Sequence, residues 1–140
     1  MAMLMLLELA AGRFNATGLE QWLANPAVQR QQSLPPDEAV LLSRTLQRSG
    51  FRWGLDARER GGNETHSLRW CLDRWLLGLA LPERDGLAPG GAAPFQRDLD
   101  PDRLVRWWSL LDRLVRMLDQ LRRPRTTGEW VTLLLAQLQD

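Results

Sequence analysis

The sequence predicts an all-α fold, and two kinds of pattern carry this prediction. Apolar residues recur every three or four positions in several segments, which places them on one face of a helix. Helix-starting residues (Pro, Asn, Asp, Thr) precede these segments, and Gly or Pro follows them. No useful stretch alternates between apolar and polar residues as a strand does. We therefore expect about six helices packed around one core.

Length and charge restrict the functions that the chain can have. At 140 residues it has the length of one domain, so we expect residues 1–140 to form a single helical domain. The 18 basic and 17 acidic residues nearly cancel, and they form no charged tail. Every basic residue is Arg. The absence of Lys excludes a P-loop ATPase site, which needs a Lys on the nucleotide phosphates.

Short helices are expected in the first third of the chain. Residues 1–11 are apolar and helix-prone, although no capping residue precedes them. Thr17 and Glu20 have the spacing of a capping box, which would open a second helix. Asn25-Pro26 ends that helix, and Pro26 can begin a further turn because its missing N–H costs nothing there.

The next helix is predicted to start at Pro35-Pro36 and to run to about Ser49, with Gly50 as its left-handed cap. Asp56 should cap the turn formed by residues 57–60. The apolar stripe of the helix is predicted to consist of Val40, Leu41, Leu42 and Leu46.

Two helices should form the centre of the fold. The central helix spans about 67–81, with Leu68, Cys71, Leu72, Trp75, Leu76 and Leu79 on its apolar face. The long helix spans about 101–123 and begins after the capping pair Asp100-Pro101. Within it, Asp112 and Arg116 have the spacing of an ion pair. Between the two helices, residues 82–94 are rich in Gly and Pro and are predicted to be a flexible loop.

A last helix follows Pro124. Thr126 and Glu129 form a second capping box at its start. It reaches Asp140 without a stop signal, and the first helix begins equally abruptly. We therefore expect the domain to be part of a longer chain.

The sequence offers no convincing catalytic or metal-binding constellation. His66 is the single histidine, and a structural zinc site needs about four protein ligands. Cys71 lies on an apolar helix face, which favours a buried thiol over a reactive one. The acid pairs Asp37/Glu38 and Asp98/Asp100 stand where helix caps require acids. We predict no catalytic, cofactor-binding or metal-binding residues.

Arginines cluster at Arg122, Arg123 and Arg125. At a helix end, basic residues complement the helix dipole. The same residues could instead contact DNA phosphates. Similarly, the seven tryptophans suit core packing, and the alternative is stacking on unpaired bases. The single Cys fits a reduced, cytoplasmic setting, and the sequence indicates neither a signal peptide nor a membrane span.

The order of several segments along nearly the whole chain resembles a known family, and one stretch shows this most clearly. RWGLDA at residues 52–57 is followed by a polar loop and then by LDRWLLGLA at residues 72–80. This order resembles the gamma-subunit (RecC) family of bacterial exonuclease V, whose members carry RWGLDA and then a helix close to LDRLLLGYA. Trp75 and Leu79 depart from that pattern. The matching positions that we expect to be structural are Arg52, Trp53, Gly54, Leu55, Asp56, Leu72, Asp73, Arg74 and Gly78.

The resemblance implies a role in DNA double-strand break repair and recombination. In that family the gamma subunit has helicase-like domains without ATPase motifs, and it guides DNA while the beta and alpha subunits supply motor and nuclease activity. The chain resembles a non-catalytic helical subdomain in the 2B position of the second helicase-like half. The implied partners are the rest of the gamma subunit, the beta and alpha subunits, and DNA in the full complex. Self-association of the isolated piece is a further expectation.

A free-standing helical adaptor, which would bind a protein partner through an exposed apolar face, is the alternative. A reading frame that starts at Met1 and stops after Asp140 would favour the adaptor.

Overall fold

The computed structural model describes residues 2–80 and 100–139, and of Ala2 and residues 137–139 it describes the backbone alone. Within these ranges the regular secondary structure is helical, apart from one isolated bridge between Asn15 and Trp53, which confirms the predicted fold class. Seven α-helices and one short 3₁₀ helix form, slightly more than expected. They are α1 (Ala2–Ala11), α2 (Ala16–Ala24), α3 (Pro26–Gln31), α4 (Pro36–Arg48), the 3₁₀ helix (Ala57–Arg60), α5 (Leu68–Ala80), α6 (Pro101–Arg122) and α7 (Thr127–Gln139).

The helices pack around one apolar core. Helix α2 lies against α4 and α1, while α6 lies against α1 and α5. The largest fully buried side chains are Trp75, Trp107, Phe14 and Phe51. Trp75 of α5 and Trp107 of α6 approach with ring centroids 6.5 Å apart, a distance at which aromatic pairs attract. The predicted pairing of the central and long helices is therefore present.

Helix starts follow the sequence signals with one exception. Asn15, and not Thr17, caps α2, since its side chain accepts a hydrogen bond from the Gly18 amide at 2.8 Å. The predicted capping box at Thr17 is wrong because the cap lies two residues earlier, at Asn15, and Thr17 is already inside α2. Asn25 caps α3 and Asp100 caps α6, each followed by the expected proline at the first helical position.

The second capping box is confirmed. Glu129 accepts hydrogen bonds from the Thr126 amide at 2.7 Å and from its hydroxyl at 2.9 Å. The Glu129 amide in turn donates to the Thr126 hydroxyl oxygen at 3.4 Å. Both ends of the reciprocal pair are therefore in place at the start of α7.

Helix α4 ends as predicted but buries a different face. The Gly50 amide donates to Gln47 O at 3.1 Å and the Phe51 amide to Leu46 O at 3.0 Å, the two bonds of a Schellman cap. Val40 and Leu41 are 51% and 36% exposed, so their place on the buried stripe was wrong. The buried face consists of Ala39, Leu42, Ser43, Thr45 and Leu46.

Some further apolar side chains also face outward. Leu76 was predicted to lie on the apolar face of the central helix, but it is exposed, because the buried face of α5 consists of Leu68, Cys71, Leu72 and Trp75. Val131 and Leu135 of α7 are exposed too. The predicted flexible loop at 82–94 lies outside the described residues. Among the described helices, none is long and apolar enough to cross a membrane.

Candidate functional site

The RWGLDA block at residues 52–57 is a backbone junction between distant parts of the chain. It lies between the entry to α2 and the first turn of α5, and it forms hydrogen bonds with both. The bonds are Ala16 N to Arg52 O (3.0 Å), Gly54 N to Phe14 O (2.7 Å), Arg52 N to His66 O (3.0 Å), Leu68 N to Gly54 O (2.9 Å) and Arg69 N to Leu55 O (2.9 Å). The block therefore connects three segments through backbone N–H and C=O groups, which do not depend on the side chains of these residues.

The side-chain contacts of Trp53, Gly54 and Leu55 explain why these residue types occur in the block. Two guanidinium groups lie over the Trp53 ring, that of Arg13 3.9 Å and that of Arg60 4.4 Å from its centroid. Each such contact is worth about 0.5–1 kcal/mol where it is exposed. Gly54 has a φ of +84°, and a Cβ there would lie 3.0 Å from Cγ of Arg60. Leu55 is buried in the core.

Asp56 begins an ionic chain that leads from the block to α6. It caps the 3₁₀ helix through the Arg58 amide at 2.9 Å and pairs with the Arg58 guanidinium at 2.7 Å. Arg58 also pairs with Asp119 at 3.2 Å, and Asp119 pairs with Arg123 at 3.2 Å. Burial acts to raise the pKa of Asp56, but the hydrogen bonds and charge of Arg58 outweigh it and hold the pKa below its ordinary value.

Arg122 points toward the rest of the fold. Its guanidinium pairs with Glu59 of the 3₁₀ helix and donates to Ala10 O at 3.0 Å and to Leu9 O at 3.4 Å. The carbonyls at the end of α1 lack partners within their own helix, so Arg122 serves as a cap from a remote helix.

The three arginines that were candidates for phosphate contact thus differ in surroundings. Arg122 is only 23% exposed and is held by α1 and Glu59, whereas Arg123 is 67% exposed. Arg125 donates to Gln120 O at 3.4 Å. Three carboxylates, Asp56, Glu59 and Asp119, offset much of the positive charge of the surrounding arginines. We call this cluster of Asp56, Arg58, Glu59, Asp119, Arg122 and Arg123 the ionic junction.

The second resemblance segment lies in α5. Leu72 is fully buried and Gly78 is half-buried, whereas Asp73 is exposed. Arg74 reaches the end of α4, where it donates to Ser49 O, and its guanidinium lies 4.6 Å from the centre of the Trp70 ring. These contacts explain an Arg at this position by its packing and its capping of α4.

A buried carboxylate was missed as a link between helices. Asp112 pairs with Arg116 at 2.7 Å, as its spacing predicts, but also with Arg69 of α5 at 3.1 Å. Its side chain is only 8% exposed. An acidic residue among the apolar residues of the buried face of α6 was the sequence signal for such a link. The residues near Asp112 in the sequence do not identify Arg69 as its partner.

The two side chains best suited to catalysis or metal binding, His66 and Cys71, are engaged in packing and hydrogen bonding. His66 Nδ1 lies 2.7 Å from Gly50 O, and the imidazole packs edge-on against Trp70. Burial raises the pKa of the Cys71 thiol to about 12, which leaves it protonated at neutral pH. Among the described residues, no three His, Cys, Asp or Glu side chains are grouped as a metal site would require.

Comparison with known proteins agrees with the resemblance in the sequence. The family model described as "RecBCD enzyme subunit RecC fourth domain" matches residues 1–140. The RecBCD enzyme subunit RecC of Mycolicibacterium smegmatis is 27% identical over 138 residues, which cover 94% of this chain. The chain spans 13% of the length of that relative. No solved structure matches it. Because the family model covers the whole sequence, the chain belongs to the RecC family and corresponds to its fourth domain.

Proposed function

We propose that this chain is a non-catalytic helical scaffold of the gamma subunit of exonuclease V, which acts in double-strand break repair and recombination. Its position would be that of the 2B subdomain in the second helicase-like half. Its partners would be the rest of the gamma subunit, the beta and alpha subunits, and DNA in the assembled cytoplasmic complex. The full-length match to the RecC fourth domain is the observation that carries the proposal.

The contacts of the resemblance residues support a scaffold role. Trp53 is contacted by two arginines, Asp56 caps the 3₁₀ helix, and Arg74 caps α4. A catalytic side chain must reach its substrate, whereas the polar atoms of Asp56 and Arg74 form hydrogen bonds within the fold. We therefore assign catalysis of the complex to other subunits.

The first test uses the isolated chain. We expect it to hydrolyse neither ATP nor DNA when assayed with Mg²⁺ and linear duplex DNA. A rate that survives repurification and changes with point substitutions in this chain would refute the non-catalytic assignment.

The second test asks whether the domain supports its complex. In the RecC of Mycolicibacterium smegmatis, the matching segment is replaced by this chain, and survival after double-strand breaks is compared with that of a deletion. We expect the replacement to restore complex assembly and survival, and a core variant, Trp107→Ala, to restore neither. Equal survival with the deletion and the intact gene would contradict a scaffold role.

Contact with DNA is a finer part of the proposal. Arg123 and Arg125 lie at the end of α6, and Arg123 is largely exposed. We expect the double variant R123Q/R125Q to weaken binding of a short duplex and to reduce the salt dependence of affinity by about one unit of slope for each arginine that binds a phosphate. The matched control R44Q/R48Q removes two exposed charges from α4. Equal effects of the two double variants would remove the assignment of the α6 end to DNA.

The free-standing adaptor is the second candidate, and the exposed Val131 and Leu135 of α7 favour it. Reading the parent gene on both sides of the sequence separates the two. Helicase-like sequence continuing in both directions would exclude the adaptor.

A further inference from the structure

A cleft with a mostly polar lining lies between the end of α3 and α6. Its volume is about 650 Å³, within the range of roughly 300–1,000 Å³ typical of ligand sites. Gln31, Ser33 and Gln120 contribute amide and hydroxyl groups to its lining, and Arg113 and Arg116 contribute guanidinium groups.

The charge of the cleft favours an acidic ligand. Its lining side chains, all in the described part of the chain, include no carboxylate. Arg116 and Arg69 share the single carboxylate of Asp112, so this group retains positive charge. Arg113 is exposed and has no ion-pair partner within residues 2–80 and 100–139. An anion bound here would supply the missing partner.

The rest of the lining distinguishes a peptide from a nucleic acid. Trp22 in the wall is only 5% exposed, so it offers no ring face on which a base could stack. The amides of Gln31 and Gln120 donate and accept hydrogen bonds, which suits the N–H and C=O groups of a peptide, whereas phosphate oxygens only accept. Half-buried Met117 gives a flexible apolar surface for one side chain.

The shape of the cleft mouth is fixed by the backbone. Ser33 follows α3 with a φ of +49°, and the Leu34 amide donates to Gln29 O at 2.8 Å, which completes the end of the helix. The Ser33 amide likewise donates to Arg30 O at 3.3 Å, so two backbone hydrogen bonds hold this turn. A preformed turn reduces the ordering cost of binding.

We propose that this cleft is a docking site for an acidic peptide segment of a protein partner, in which carboxylates flank an apolar residue. The carboxylates pair with Arg113 and Arg116, the peptide backbone bonds to the glutamine amides, and the apolar side chain rests on Met117.

The test uses the 140-residue chain and an array of random short peptides of equal length. We expect the bound peptides to be enriched in Asp or Glu next to Leu, Phe or Met. The charge-reversal variant R113E should lower the affinity of the best acidic peptide by about tenfold or more. The control R44E makes the same charge change on α4, away from the cleft, and should leave the affinity within about twofold.

Two further measurements keep the outcome decisive. Circular dichroism and thermal unfolding of both variants verify that each retains its fold. A labelled oligothymidylate should bind R113E and R44E equally. Absence of acidic enrichment, or an equal decrease of peptide binding in both variants, would overturn the proposal. Oligothymidylate binding that R113E alone abolishes would assign the cleft to nucleic acid instead.

Discussion

Individual residues in this domain are best explained by what their charges hold together. Two aspartates on α6, Asp112 and Asp119, repeat one arrangement seven positions apart. Each pairs with the Arg four residues later and with one Arg from the preceding part of the chain, Arg69 or Arg58 respectively. They differ in burial, since their side chains are 8% and 34% exposed. The pair therefore offers an internal comparison of a buried and a surface ion pair.

Removal of the buried member should cost more. We expect Asp112→Ala to lower the free energy of unfolding by about 2 kcal/mol, because it leaves Arg69 without its carboxylate, while the partial exposure of both arginines screens the effect. Asp119→Ala should cost less than about 1 kcal/mol. Urea unfolding measures both. Equal costs would show that burial of Asp112 is unimportant.

Gly54 should be among the positions of the RWGLDA block least tolerant of a side chain. Its φ of +84° disfavours any L-residue, and the added Cβ would press on Arg60. Gly61 has a φ of +66° with open space around it, so Gly61→Ala isolates the cost of conformation. We expect about 1 kcal/mol for Gly61→Ala and about 2–3 kcal/mol for Gly54→Ala. If thermal unfolding shows Gly61→Ala to be more destabilising than Gly54→Ala, the close contact between Gly54 and Arg60 beside the Trp53 ring would be contradicted.

Cys71 should be inert in the folded chain. It is fully buried, and its raised pKa leaves almost no thiolate at neutral pH. We expect no modification by iodoacetamide in native buffer and complete modification in urea, as measured by mass spectrometry. Comparable rates in the two conditions would place the thiol at the surface.

At the scale of elements, helix starts were the most predictable feature because a cap is a local interaction. Asp100 caps α6, Thr126 forms the capping box of α7, and Pro26 begins α3, as the sequence indicates. Thr17 misled because Asn15, two residues earlier, competes for the same role. The buried face of α4 was harder to predict, since adjacent apolar residues at 40–42 allow more than one orientation. Packing against α2 selects the face with Leu42 and Leu46.

The start of α7 should respond to acid. Hydrogen bonds from Thr126 lower the pKa of Glu129, so the folded form binds this proton less readily than the unfolded form. Its stabilising contribution is therefore present above the ordinary value of 4.5 and is lost as the pH falls through the lowered pKa. We expect the protection of the amides in the first turn of α7, which is their exchange rate relative to that of an unstructured peptide at the same pH, to decrease over that range. The variant Glu129→Gln should remove this dependence, and an unchanged profile in the variant would contradict the assignment.

For the whole molecule, the sequence predicted the all-α class and the family, but not the contacts between remote segments. Arg122 lies next to two further arginines, and its neighbours along the chain suggest a basic surface. Its actual partners, Glu59 and the carbonyls of α1, lie 63 and more than 100 positions away. No local pattern reveals such a pairing. The ionic junction could therefore be recognised only once the helices were placed.

We propose that the residues of the RWGLDA block and of the ionic junction maintain the fold, and that the chemistry of the complex takes place elsewhere. The most direct measurement compares, for Trp53→Ala, Asp56→Ala and Arg122→Ala, the free energy of unfolding of the chain with break-repair activity of the complex that contains it. We predict a decrease of about 1–3 kcal/mol for each variant, with activity falling only as stability falls. A variant that retains full stability yet abolishes repair would contradict the account.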